Sequence, residues 1–171
     1  MTAAALAALL ALAIFCGWRY LTPVAAPAAA QPIDLIVVEK AAHRMVLFHH
    51  GKAAQVYAVA LGRGGAGPKE RAGDDNVPEG RYRIIGRNSR SAFHRSLRIG
   101  YPTARQAADA ARRGIDPGGD VMIHGIHNGL GWLGGLHRTI DWTRGCIAVT
   151  DAEIEQIWRM VPDGTAIIIR P

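Results

Sequence analysis

The chain has 171 residues, 49% of them apolar, and a formal net charge of +6. That length excludes a multidomain array and gives one domain plus a tail. The positive charge is mostly arginine. Nine arginines lie between Arg81 and Arg113 against the single acid Asp109, a stripe that attracts anions. Its sparse aromatic interleaving argues against nucleic acid, which leaves anionic polymers, carboxylate-bearing peptides or a merely solvated basic face.

Residues 1–30 stand apart. Ala3 to Gly17 runs fifteen residues without a charge, which is short for a membrane span and long enough for the apolar region of a secretory signal. Arg19, Pro23 and Pro27 follow, and the small residues Ala25 to Ala30 offer a cleavage site. A basic region before the run is missing. The segment is read as a signal peptide or an uncleaved anchor, so the expected location is the periplasm or cell envelope. Membrane contact is then confined to residues 1–21. Export leaves Cys146 as the lone cysteine of the 31–171 domain, either a small core residue or a reactive thiol.

In chain order, Ile33–Val38, Arg44–Phe48 and Gln55–Leu61 read as three short apolar strands in a meander. His43, His49 and His50 fall at the turns and read as solvated. Gly62 to Gly80 is a long loop rich in Gly, Pro and charge, of the length that is usually functional or disordered. Arg81–Ile85 alternates, with Tyr82 and Ile84 on one face and arginines on the other. Pro102-Thr103 opens a helix through Arg113 whose Ala104, Ala107, Ala108 and Ala111 form a packing stripe. Val121–Ile123 is a buried-type strand that delivers His124-Gly125. Gly145 to Val149 is another apolar segment. Thr150 and Glu153 make a capping box for a helix to Val161, with Ile154, Ile157 and Val161 as its buried stripe. Thr165–Ile169 is the last strand. The sum is an α+β fold, a β-rich, curved or sandwich-like mixed sheet with two short helices.

A thiol becomes a nucleophile when something takes its proton or stabilises its thiolate. Histidine does either near neutral pH. His124 and Cys146 both sit at strand ends, where one sheet edge brings them together. Gly125 and Gly145 flank them and leave room for a substrate. The amides around Gly145 and Arg144 are candidate oxyanion donors.

Ile123-His124-Gly125 and Thr143-Arg144-Gly145-Cys146-Ile147-Ala148-Val149 resemble the signature of the L,D-transpeptidase catalytic domain, the YkuD-like family. Gly73-Asp74 with Pro78-Glu79-Gly80-Arg81-Tyr82, and Asp163-Gly164-Thr165 before the final strand, are similar to two companion stretches of that family. The resemblance covers roughly residues 33 to 171. It implies that Cys146 is the nucleophile and His124 the proton acceptor and donor, without cofactor or metal. It implies peptidoglycan stem peptides as partners, with a second stem or a lipoprotein as acyl acceptor, and roles in cell-wall biogenesis and cell shape. Two departures stand out. Arg144 occupies the position where most members have His; it cannot be a base, but its charge favours a neighbouring thiolate. His124 and Cys146 are 22 positions apart, longer than the common spacing, and the extra length resembles that of a subgroup with an Asp-Trp-Thr-x-Gly-Cys box. The Gly- and Trp-rich stretch His127 to Asp141 reads as a lid or groove wall.

Thr143, Gly125, Arg98, Tyr101 and Trp132 are candidate substrate-binding residues, Arg98 near Tyr101 as a holder of stem carboxylates. Three rival readings stand beside the transpeptidase. Water in place of the acceptor amine makes an L,D-carboxypeptidase. His124, His127, His137 and Cys146 as zinc ligands make a metal-dependent envelope hydrolase. A degenerate site makes a peptidoglycan-binding module.

Overall fold

The computed structural model describes residues 32–171. The leader expected over residues 1–30 therefore lies outside the described residues. Among these, no helix is long and apolar enough to cross a membrane.

Eight strands form one mixed, curled sheet in the order β3-β2-β1-β8-β4-β5-β6-β7. They are β1 (Leu35–Glu39), β2 (Arg44–His49), β3 (Lys52–Ala58), β4 (Gly80–Ser91), β5 (His94–Ile99), β6 (Met122–His124), β7 (Ile147–Ala148) and β8 (Ala166–Arg170). The helices are α1 (Ala104–Arg112) and α2 (Asp151–Met160), and a 3₁₀ segment spans Gly131–Thr139, kinked at Gly134. The expected α+β class with a curved mixed sheet is what is found, with the 3₁₀ segment as a third helical element.

The meander is present: β1 pairs antiparallel with β2, and β2 with β3. β8 returns parallel to β1, placing Ile167 beside Ile36 and Ile169 beside Val38 in the core. The twelve residues of β4 produce the curl. Their first part pairs with β8 and their second with β5. Tyr82 and Ile84 point into the core while Arg81 and Arg83 are exposed, as alternation requires.

Both helices begin at reciprocal capping boxes, Thr103 with Gln106 and Thr150 with Glu153. α2 buries Ile154 and Ile157, and Val161 follows them into the core. Full burial of each such side chain stabilises by about 1.5–3 kcal/mol. α1 corrects the sequence reading. Its Ala104, Ala107, Ala108 and Ala111 are exposed, and Ala110 is the residue it buries. Alanine spacing alone does not choose a face when polar residues, here Gln106 through its bond to the Tyr82 hydroxyl, dock the helix.

The third strand is also shifted from its expected place. It ends at Ala58, and Val59, Ala60 and Leu61 run on, buried, toward the far edge of the sheet. There Ala60 bridges Ala148, and Gly62 bridges Thr143. This crossing brings the 62–80 loop against the segment that carries Cys146.

Candidate active site

β6 and β7 are parallel neighbours, Ile123 beside Ile147 and His124 beside Ala148. His124 ends β6, and Cys146 immediately precedes β7, so the strand pairing delivers both to one edge. They line a common cavity of about 510 Å³. Phe93, Trp142, Asn88 and Asp120 contribute further walls.

His124 is buried, 3% exposed. The Phe93 ring lies 4.5 Å from its own, and the Trp142 ring 5.7 Å away, edge-on. Gly125 N donates to Phe93 O at 3.1 Å, which fixes the turn between β4 and β5 over the imidazole. His124 Nδ1 lies 2.7 Å from Gly125 O. A carbonyl only accepts, so Nδ1 carries the hydrogen and Nε2 keeps its lone pair. Burial pushes the imidazole pKa down to about 4, against the smaller upward pull of the Gly125 carbonyl. His124 is thus a neutral base across the physiological range.

Folded His124 holds its proton less tightly than unfolded histidine, whose pKa is about 6.5. Its contribution to stability is whole above about pH 6.5 and is lost as pH falls toward 4, a change of about 3 kcal/mol. A His124→Gln variant lacks this titration. The stability difference between wild type and variant is therefore expected to shift by that amount in urea melts between pH 7 and pH 4. Parallel pH profiles for the two proteins refute it.

Cys146 is partly exposed. Burial of the thiol raises its pKa, while the Met122 amide and the positive charge of Lys69 oppose the rise. Its hydrogen points to Asp120 O at 3.6 Å. The resting pair is therefore thiol and neutral imidazole, not thiolate and imidazolium. The cation acting on the thiol corrects the sequence reading. It is Lys69, whose side chain is 5% exposed and bonded to Asp74 at 2.7 Å. Arg144 points to solvent, 81% exposed, with Asp75 at 3.8 Å.

The 62–80 loop, whose length marked it as functional or disordered, is the scaffold beneath the box. Lys40 reaches across from the end of β1 and donates to Gly67 O, Val77 O and Glu79 Oε1. Burial pushes the Asp74 carboxyl up, but the amides of Arg71, Glu70 and Asn76 and the Lys69 ammonium outweigh this and hold it near 2. The loop backbone then presses on Gly145, at φ +103°. A Cβ there meets Asn76 O at 2.7 Å. Gly145→Ala is expected to cost about 2 kcal/mol or more in a denaturant melt and to displace Cys146. An unchanged midpoint with unchanged thiol reactivity contradicts this. Gly125 is restricted too, since a Cβ on it lies 2.7 Å from Asp151 Oδ1.

The other sequence candidates divide. Thr143 is buried, and its hydroxyl donates to Cys146 O at 2.8 Å while accepting from Gly145 N at 3.3 Å. The Gly145 amide is therefore already engaged, which corrects its reading as an oxyanion donor and leaves the Arg144 and Cys146 amides. Arg98 pairs with Asp120 and lines a neighbouring depression that shares Asn88, Asp120 and Met122 with the Cys146 cavity. Tyr101 does not line the cavity. Its ring is buried, its hydroxyl donates to Pro117 O at 3.1 Å, and burial pushes its pKa up to about 12. Trp132 is 77% exposed and likewise not a cavity wall. Trp142 and Phe93 are the aromatic residues at the site. His127 and His137 line a second pocket beyond Trp142, away from Cys146. Among the described residues no three His, Cys, Asp or Glu side chains converge to hold a metal. The proposed zinc set does not assemble.

Comparison with known proteins bears on the family and the fold. The sequence pattern of the L,D-transpeptidase catalytic domain (YkuD) matches residues 33–169. YafK of Escherichia coli (strain K12) is 29% identical over 107 residues, which is 61% of this chain and 36% of YafK. The helical cell shape determining protein Pgp2 of Campylobacter jejuni superposes with a TM-score of 0.62 at 21% identity, over 82% of this chain and 48% of Pgp2. An L,D-transpeptidase from Mycobacterium smegmatis superposes with a TM-score of 0.53 at 15% identity, over 80% of this chain and 58% of its own. This chain thus spans between 36% and 58% of the length of these three. The structural matches speak for the fold alone; the sequence pattern covers most of the chain, and the chain belongs to the L,D-transpeptidase catalytic domain (YkuD) family.

Proposed function

We propose that this chain is an exported peptidoglycan L,D-transpeptidase that works through a thioester on Cys146. The single observation that best supports the reading is the Nδ1 bond of His124 to Gly125 O. It leaves a neutral imidazole with a free Nε2 lone pair in the cavity that Cys146 also lines.

The chemistry follows from those two groups. As a stem tetrapeptide seats, the Cys146 thiol turns from Asp120 O toward His124 Nε2, which takes its proton as sulfur attacks the carbonyl after the L-centre of the diamino acid. The Arg144 and Cys146 amides are the donors available to the oxyanion. The carbon–nitrogen bond breaks, the imidazolium protonates the departing D-alanine amine, and a thioester remains. An amine on a second stem or a lipoprotein then attacks the thioester and gives its proton to His124. The carbon–sulfur bond breaks, and the sulfur recovers that proton. The location is the periplasm or cell envelope, on the strength of the uncharged Ala3–Gly17 run.

A carbapenem tests the nucleophile, because its strained amide acylates an activated thiol and leaves slowly. Intact protein is expected to gain one adduct mass, mapped to Cys146 and absent from Cys146→Ala. No adduct on the wild type, or an equal adduct on both proteins, overturns the reading.

A further inference from the structure

The chemistry above turns His124 into an imidazolium while it is buried. What lies against its ring is neutral: the Gly125 carbonyl and the rings of Phe93 and Trp142. A buried cation without a countercharge is costly. The countercharge stands one peptide group away. The Gly125–Ile126 peptide accepts from His124 Nδ1 through its carbonyl at 2.7 Å and donates through its N–H to Asp151 Oδ1 at 2.8 Å. Imidazole, amide and carboxylate thus form one chain of hydrogen bonds that all donate in the same direction. Bonds in such a chain polarise one another. The carboxylate draws the amide hydrogen, and more negative charge gathers on the oxygen that faces Nδ1.

Asp151 is the first residue of α2, where an acid ordinarily serves the helix dipole. Here the reciprocal cap is made by Thr150 and Glu153. Asp151 instead reaches out of the helix to a segment 25 residues earlier in the chain. Glycine stands at both places where that segment passes the carboxylate. A Cβ on Gly125 lies 2.7 Å from Oδ1, and one on Gly131 overlaps Oδ2. His94 Nδ1 is 4.0 Å from Oδ2, but His94 bonds Glu155 through Nε2 at 2.9 Å. The lack of a side chain at residue 125 also leaves the 125–126 peptide easy to rotate. A turned peptide offers Nδ1 an N–H in place of a carbonyl, and the Asp151 bond prevents this.

We infer that Asp151 is a positioning residue for His124, acting through the Gly125–Ile126 peptide to hold the tautomer and to supply the charge that steadies the imidazolium. The inference rests on the thioester reading.

The test uses the full chain, a stem tetrapeptide donor and single-turnover thioester formation on Cys146. Asp151→Asn keeps an oxygen for Ile126 N and removes the charge. It is expected to slow thioester formation about tenfold at saturating donor, with the half-saturating donor concentration unchanged. The proton resonance of His124 Nδ1–H is expected to move upfield, since its acceptor is less polarised. Glu153→Gln removes a charge from the same turn of α2, keeps the capping box and leaves the 125–126 peptide alone. It is expected to change neither rate nor resonance. A wild-type rate in Asp151→Asn, a loss confined to half-saturation, or an equal loss in Glu153→Gln overturns this inference alone. Should Asp151→Asn fail to fold, the wild type decides. A through-hydrogen-bond coupling between Ile126 N and the Asp151 carboxyl carbon is expected in its NMR spectrum, and a missing coupling overturns the inference. Absence of any thioester on the wild type removes it together with the catalytic reading.

Discussion

Cys146→Ala is expected to end turnover of a stem-peptide donor, with a loss on the order of 10⁴-fold or more in kcat, because no other group at the site can form the acyl intermediate. The substitution removes one sulfur at a partly exposed position whose backbone is held by neighbours. Thr143 still accepts from Gly145 N and donates to the carbonyl of residue 146. Melts of the variant are therefore expected within about 1 kcal/mol of wild type. Loss of activity with retained fold separates the chemical role of the thiol from a packing role. A variant that turns over normally contradicts the assignment.

The second large effect is at His124. His124→Gln is expected to lower kcat/KM by about 10²–10⁴-fold, the usual contribution of a positioned base. Its pH signature is as informative as its size. With burial holding the imidazole pKa at about 4, wild-type activity rises as pH passes that value and persists through neutrality. The variant loses that acid limb. Because burial also raises the Cys146 thiol, its alkylation by iodoacetamide is expected to keep accelerating into the alkaline range. A rate that is flat from pH 6 upward indicates a preformed thiolate–imidazolium pair and contradicts the neutral resting state.

Much of this architecture was legible in the chain because its signals are local. The alternation of β4 around Tyr82 and Ile84, the Thr150–Glu153 box, and the Ile154, Ile157 and Val161 stripe each depend on near neighbours. The His-Gly and Gly-Cys segments were visible as strand ends for the same reason. What escaped is set by distant pairing. β5 and the second part of β4 are rich in Arg, Ser and Asn and carry no strand pattern of their own. They form strands because each supplies the other's backbone partners, and the β5 side chains Leu97 and Ile99 face the core. Phe93, at the turn between them, came to His124 only through that pairing.

The cation beside the thiol is likewise set by distant pairing. Arg144 is adjacent to Cys146 through one glycine, yet its side chain leaves toward Asp75 and solvent. Lys69 is distant in sequence and acts on the thiol because Lys40 and Asp74 fold its loop under the box. The insert before Cys146 reads as a lid or groove wall, with both Trp132 and Trp142 in its neighbourhood and Trp132 as the candidate substrate contact. In the structure Trp142 fills that part, and Trp132 stands in solvent. Sequence separation placed the tryptophans in the right segment without saying which one turns inward.

The most direct measurement is the mass of the enzyme caught during turnover. The protein is mixed with a disaccharide tetrapeptide donor, quenched in acid within the first turnovers, digested and analysed for acylated peptides. A mass gain equal to the stem acyl group after loss of D-alanine is expected on the peptide containing Cys146, labile to hydroxylamine as a thioester must be. Adding an amine acceptor is expected to discharge it into a cross-linked product. Product that forms with Cys146 unmodified at every time, or that forms at the wild-type rate in Cys146→Ala, contradicts the account.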